Sequence, residues 1–185
     1  GSAITSYARN FTIRSAQQNY HGVNERGFIY ADTDSIHCDL DASEIKGIKV
    51  HDTAFCCWKL ESYWDEAIFT RQKTYIEHVT HEDGVPLEQL KDKDGKPRKP
   101  YNNIKCAGMP QKCKDLFELS LQGTANKNDR EYTKEELEFL FDSETGEPIK
   151  RELTHFQVGL RVPGKLRPMR IRGGVLLVET PYEMR

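Results

Sequence analysis

The chain has 185 residues, 37% hydrophobic and 30% charged, with a formal net charge of −2. That length allows one domain or two small ones with a real core, and the charge excludes a global basic field that would announce a polyanionic partner. No apolar run approaches the roughly 20 residues of a membrane helix and the start lacks a secretory-signal layout, so a cytoplasmic chain without a membrane partner is expected. The five cysteines, Cys38, Cys56, Cys57, Cys106 and Cys113, are odd in number and include no Cys-x-x-Cys pair. They argue for reduced, mostly buried thiols over a zinc ribbon or a disulfide framework. Gly1-Ser2 reads as a cloning scar, so Ala3 is expected to open inside a longer natural chain.

From Ala3 to Tyr20 the apolar groups Ile4, Tyr7, Ala8 and Phe11 recur at helical spacing without Gly or Pro, which predicts a packed helix starting near Ser2. His21 to Arg26 is a polar loop. Gly27 to Asp32 and Ser35 to Leu40 are two short β-type runs separated by Thr33 and Asp34, a hairpin. Asp52 to Tyr63 is ambiguous between helix and strand, with the balance toward a strand around Trp58. Ala67 to Thr80, rich in Ile, Phe, Thr, Tyr and Val, reads as one long strand or two. Asp83-Gly84 and Asp94-Gly95 signal turns of a protruding ribbon that returns at Tyr101 to Cys106.

Near Gly108-Met109-Pro110 the β pattern gives way to a helical one, Lys112 to Leu119, and a second unit is expected to begin. Asn126 to Arg130 is a loop, and Thr133-Lys-Glu-Glu136 is a capping box ahead of a short helix. Glu144 to Pro148 is a turn, and Phe156 to Val178 carries the pattern of β-ribbons.

The sharpest chemical signal is Tyr30-Ala31-Asp32-Thr33-Asp34-Ser35, with two carboxylates two apart at the hairpin tip. A stable two-residue turn prefers Asn-Gly or Asp-Gly, and local rules are broken most often at functional sites. Two anions held this close repel unless a cation sits between them, and hard oxygen ligands select Mg²⁺ or Mn²⁺. In nucleotidyl transfer such a pair holds two metals. The plain alternative is that Asp favours turns.

The six residues resemble motif C of family B DNA polymerases. Arg71-Gln72-Lys73-Thr74-Tyr75-Ile76 resembles the Lys-x-Tyr motif of that family. Lys105-Cys106-Ala107-Gly108-Met109 is similar to the palm-to-thumb junction of its protein-primed phage members, and Gly173-Gly174-Val175-Leu176-Leu177-Val178 to their thumb terminus. The resemblance spans nearly the whole chain. It implies an α+β fold in which residues 3–107 are the second part of a palm, helix plus antiparallel sheet, and 108–185 a β-rich thumb.

It further implies that Asp34, then Asp32, ligate catalytic Mg²⁺, with Tyr30 and Thr33 in the neighbourhood of the nucleotide. Lys73 and Tyr75, placed i and i+2 on one strand face, would hold the primer terminus; an exposed Lys beside a half-buried Tyr is the ordinary alternative. The partners implied are primer-template DNA, dNTP and a terminal-protein primer, in a bacterial cell and encoded by a phage or mobile element. Phe55-Cys56-Cys57-Trp58 departs from the family, in which a Gly commonly stands at the position of Cys56.

No acid lies between Glu152 and Glu179, whereas Arg161, Lys165, Arg167, Arg170 and Arg172 do. This basic stripe suits a duplex backbone, because Lys and Arg release counterions without reading sequence; a solvated face is the alternative. The resemblance places Lys165 and Arg167 in the ribbon that grips the duplex. Asp129 to Glu147 holds eight acids against Arg130 and Lys134 and should face away from DNA.

Asp-x-x-Ser-Leu-Tyr-Pro and Lys-x-x-x-Asn-Ser-x-Tyr-Gly do not occur in these residues, so the 185 residues alone are expected not to polymerise DNA. The rival readings are a non-catalytic DNA- or partner-binding module derived from a polymerase, and an Asp-x-Asp glycosyltransferase, which would need a nucleotide-binding βαβ domain. In a palm, the strand bearing the upstream carboxylate would lie beside Ser35 to Leu40. Without it, that edge is expected to pair with another copy.

Overall fold

A computed structural model describes residues 2–153 and 161–183. The fold is α+β and divides into two compact units, Gly1–Asp65 with Val79–Tyr101, and Glu66–His78 with Asn102–Arg185. A four-stranded sheet contributes to both: β3 (Ser62–Arg71), β4 (Thr74–Glu82) and β5 (Val85–Pro86) in that order, with β6 (Tyr101–Cys106) also pairing β4.

The first unit opens with helix α1, Ser2–Asn19, as the unbroken run predicts. The face it buries is not the expected one. Ile4 and Tyr7 are 77% and 74% exposed, whereas Thr12, Ser15 and Asn19 are buried. Phe11 of the apolar stripe stacks on Trp58 at 5.3 Å between ring centroids. Close approach explains the polar face. A Cβ on Gly27 would stand 2.2 Å from the Asn19 carbonyl oxygen, so only short side chains that make hydrogen bonds fit this seam. Asn19 does so twice, donating from Nδ2 to the Lys46 carbonyl (2.9 Å) and accepting from the Lys46 amide (2.8 Å).

Strands β1 (Phe28–Asp32) and β2 (Ser35–Cys38) form the antiparallel hairpin, with a bulge between Phe28 and Tyr30. Among the described residues β2 pairs with no other strand.

The segment around Trp58 is a pinned loop rather than a strand. His51 N–H donates to the Trp58 carbonyl and Trp58 N–H to the Lys49 carbonyl, at 2.9 and 2.8 Å, so only an isolated bridge joins Val50 and Trp58. At its tip Phe55 is 99% exposed and Cys56 has φ 56°, a left-handed backbone costing a non-glycine residue about 1–2 kcal/mol. Glycine would adopt that conformation without strain.

In the second unit, α2 (Gln111–Gln122) buries Cys113, Leu116, Phe117, Ser120 and Leu121, the i, i+3, i+4, i+7, i+8 stripe of an amphipathic helix. Around it lie Ile76, Ile104, Cys106, Met109, Phe139, Leu140, Phe141, Val162 and Tyr182, one continuous apolar core. Helix α3 (Lys134–Leu140) starts at the predicted capping box, with Thr133 Oγ1 accepting from the Glu136 amide and Glu136 accepting from the Thr133 amide.

The ribbon β7 (Arg161–Ile171) and β8 (Gly174–Glu183) is rooted in the core by the register pair Val162 and Tyr182. Its expected beginning at Phe156 lies outside the described residues. Of the thiols, Cys106 and Cys113 are buried, Cys38 and Cys57 half-buried and Cys56 exposed, none in a disulfide, so burial is less general than the composition suggests.

Leu116 is fully enclosed and Leu137 is 37% exposed. Leu116→Ala is expected to lower the unfolding free energy by about 2–5 kcal/mol, and Leu137→Ala by about 0.5 kcal/mol or less, as read from denaturant titrations followed by circular dichroism.

Candidate functional site

In the first unit Tyr30, Asp32, Thr33 and Asp34 lie on one hairpin. Tyr30 pairs with His37 and Asp32 with Ser35, and because alternate residues share a strand face the Tyr30 ring, 5.5 Å from the His37 ring, lies on the same side as Asp32. Between the carboxylates the chain turns at Thr33 with φ 49°. For a β-branched residue this is an outlier, with a cost of about 1–3 kcal/mol that the surroundings must hold in place.

Several bonds hold it. The Asp34 amide donates to the Asp32 carbonyl at 2.6 Å and Ser35 Oγ to the same oxygen at 3.1 Å. Thr33 Oγ1 donates to Asp32 Oδ1 at 3.1 Å, and the Thr33 carbonyl accepts from Thr12 Oγ1 on α1 at 3.0 Å. The tip thus presents Asp34 in solvent and Asp32 half-buried, two oxygen donors on a braced backbone. Among the described residues no group of three or more His, Cys, Asp or Glu side chains could hold a metal ion. Two aspartates of this kind suit a hard divalent cation that takes its other ligands from water or a phosphate.

The second unit holds the remaining residues. Lys73 is not on a strand with Tyr75. It occupies the turn between β3 and β4 with φ 56°, and its carbonyl accepts from the Ala107 amide at 2.9 Å. Tyr75 is on β4, stacked on Phe69 at 5.1 Å. The i, i+2 argument for a shared face therefore fails, because a left-handed turn residue breaks the alternation.

The five basic ribbon residues are all exposed, but they do not form one stripe. Lys165 and Arg167, opposite Thr180 and Val178, share a face, Arg170 lies on the other, Arg161 pairs with Glu183 at the root and Arg172 sits in the turn. Lys165 and Arg167 line a cleft of ≈ 710 Å³ at the ribbon root together with Arg71 and Tyr182. Sequence offers no signal for the last two, since Arg71 reads as part of a short motif and Tyr182 as a terminal aromatic. The acidic stretch has a structural centre, the buried Glu136, held by Lys112 at 2.9 Å and Arg130 at 3.7 Å.

The Thr12 hydroxyl is the bond from α1 to the strained turn. Thr12→Val keeps the shape and deletes the donor, and is expected to cost about 1 kcal/mol in thermal or denaturant unfolding.

No family model matches the chain. It is 29% identical over 191 residues to the DNA polymerase of Bacillus phage phi29, covering 100% of this chain and 25% of the relative. To the DNA polymerase of Streptococcus phage Cp-1 it is 27% identical over 182 residues, covering 98% of this chain and 22% of the relative. Phi29 DNA polymerase complexed with primer-template DNA and incoming nucleotide substrates superposes with a TM-score of 0.57 at 28% identity, over 99% of this chain and 25% of that one. The same enzyme complexed with single-stranded DNA gives 0.59 at 27%, over 99% and 26%. The similarity therefore takes in every element described above, and the chain is related along its whole length to the phi29-type phage DNA polymerases, of which it spans about a quarter.

Proposed function

We propose that these residues are the part of a DNA-directed DNA polymerase that carries the metal-binding hairpin and the duplex grip, with residues 3–107 as the second part of the palm and 108–185 as the thumb. The observation that carries this reading is the Asp32-Thr33-Asp34 tip, held in an unfavourable left-handed turn in a chain similar throughout to a polymerase solved with primer-template DNA and nucleotide. A turn needed only for chain reversal has no use for a β-branched residue at positive φ.

In this reading Asp34 and Asp32 hold Mg²⁺, and Tyr30 and Thr33 border the nucleotide. Lys73, from its turn, and Tyr75 hold the primer terminus, and Lys165 and Arg167 lead the ribbon contacts to duplex phosphates, with Arg161, Arg170 and Arg172 around them. When bound, the metal supplies Lewis-acid activation of the attacking hydroxyl and neutralises charge on the triphosphate. The reaction served is attack of a primer 3′-hydroxyl, or of a terminal-protein hydroxyl at initiation, on the α-phosphate of a dNTP, with pyrophosphate leaving. The work of this chain is to position the metal and to hold the duplex.

Duplex binding by the 185 residues is expected to fall steeply with salt. Replacing both Lys165 and Arg167 by Ala should flatten the slope of log K against log salt by about 0.9 per lost phosphate contact, measured by fluorescence anisotropy; an unchanged slope moves the grip elsewhere. Primer extension with Mg²⁺ and dNTPs by these residues alone is expected to be at background. Incorporation that disappears in Asp34→Ala would contradict the reading of these residues as only a part of the polymerase.

A further inference from the structure

Several basic side chains have carboxylate partners. Arg98 is paired with Glu82, Lys112 with Glu136 and Glu179, and Lys59 with Asp83. The cleft at the ribbon root breaks this pattern. Arg71, Lys165 and Arg167 line it, no acidic residue does, and among the described residues none of the three has a carboxylate within ion-pair distance. Three cations around one concavity repel one another, and the arrangement is favourable only with an anion among them.

The floor is built to hold that spacing. Tyr182 is buried, its hydroxyl 3.1 Å from Cys106 Sγ and donating to the Ala107 carbonyl at 3.2 Å. Lys165 Nζ lies over its ring at 5.3 Å, a cation–π contact that keeps the ammonium at the cleft. Burial first, then the contact with Cys106, pushes the Tyr182 phenol up to about 12, so the floor stays neutral at physiological pH and adds no negative charge.

We propose that Arg71, from the end of β3, joins Lys165 and Arg167 on a single backbone phosphate of the bound duplex, making the cleft a specific phosphate seat. Arg71 supplies a planar fork that matches two phosphate oxygens and the ammonium a point charge. A phosphodiester and the phosphates of a free nucleotide share this chemistry, and the seat is assigned to the phosphodiester because Lys165 and Arg167 stand on the ribbon proposed to follow the duplex. The inference rests on the DNA-binding reading above.

The test is anisotropy with a short labelled duplex between about 50 and 200 mM salt, applied to wild type, Arg71→Gln, Lys165→Gln and the double variant, with dATP titrated as the alternative phosphate source. Each single substitution should weaken duplex binding on the order of tenfold, with melting unchanged because both side chains are exposed. Arg71→Lys should restore part of the loss. The double variant should lose less than the product of the two single losses, because one phosphate cannot be lost twice.

Arg71→Gln that binds duplex like wild type while Lys165→Gln does not would overturn the inference and leave the DNA-binding reading standing. Strictly multiplicative losses would assign the cations to separate phosphates and overturn the single seat. Weakened dATP binding with duplex binding intact would overturn the assignment to the backbone, and a wild-type chain that binds no duplex would overturn both readings.

Discussion

The 3.0 Å hydrogen bond from the Thr12 hydroxyl to the Thr33 carbonyl is where a helix and a strained turn are made to depend on each other. Helix α1 approaches the hairpin so closely that Gly27 has no room for a Cβ against the Asn19 carbonyl, and hydrocarbon side chains cannot fill such a seam. Hydroxyl and amide groups take their place. Each such bond contributes about 1 kcal/mol net when made and costs more when a buried partner is left alone. The unit thereby exchanges hydrophobic bulk for directional contacts, which fix the rotation of α1 against the turn. The two aspartates gain a backbone that is pre-set rather than adaptable, as the proposed cation site requires.

The second unit is stabilised differently. Leu116, Phe117, Leu140 and Val162 are fully enclosed, and this core fixes the ribbon only at its root. Beyond the Val162–Tyr182 pair the strands run out into solvent, leaving Leu166, Met169, Ile171, Val175, Leu176 and Leu177 about half exposed or more. A register shift between Val162 and Lys165, at Gly164 with φ 110° and Lys112 close by, lets the chain leave the core and begin the ribbon. The proposed grip residues Lys165 and Arg167 come directly after that bend, near enough to the root to be held yet exposed for a ligand.

Local rules carried a long way in this sequence. The extent of α1, the capping box at Thr133 and Glu136, the Asp83-Gly84 turn and the strand beginning at Tyr101 follow from spacing, capping and turn chemistry, and the structure has all four. The hairpin bearing Asp32 and Asp34 was legible because short β runs flank a tip whose residues suit no ordinary turn. What sequence could not reveal depends on approach distance and φ. The buried face of α1 carries Thr12, Ser15 and Asn19 because of how near the hairpin comes, and periodicity of apolar residues points to the opposite answer. Lys73 leaves the strand because of one left-handed residue, which nothing in Arg-Gln-Lys-Thr-Tyr announces. Arg71 lines the same cleft as Lys165 although 94 positions separate them in sequence, beyond the reach of any local pattern, whereas Tyr182 reaches Lys165 across the ribbon's own register.

The hairpin tip is proposed to bind a divalent cation in preference to the more numerous acids of residues 129–147. Titrating Mn²⁺ into the isotopically labelled chain and following paramagnetic broadening of amide resonances separates the two directly. The account predicts that Asp32, Thr33 and Asp34 broaden first and that Asp32→Asn with Asp34→Asn abolishes the effect. Early broadening confined to residues 129–147, with the hairpin signals unaffected, would contradict it.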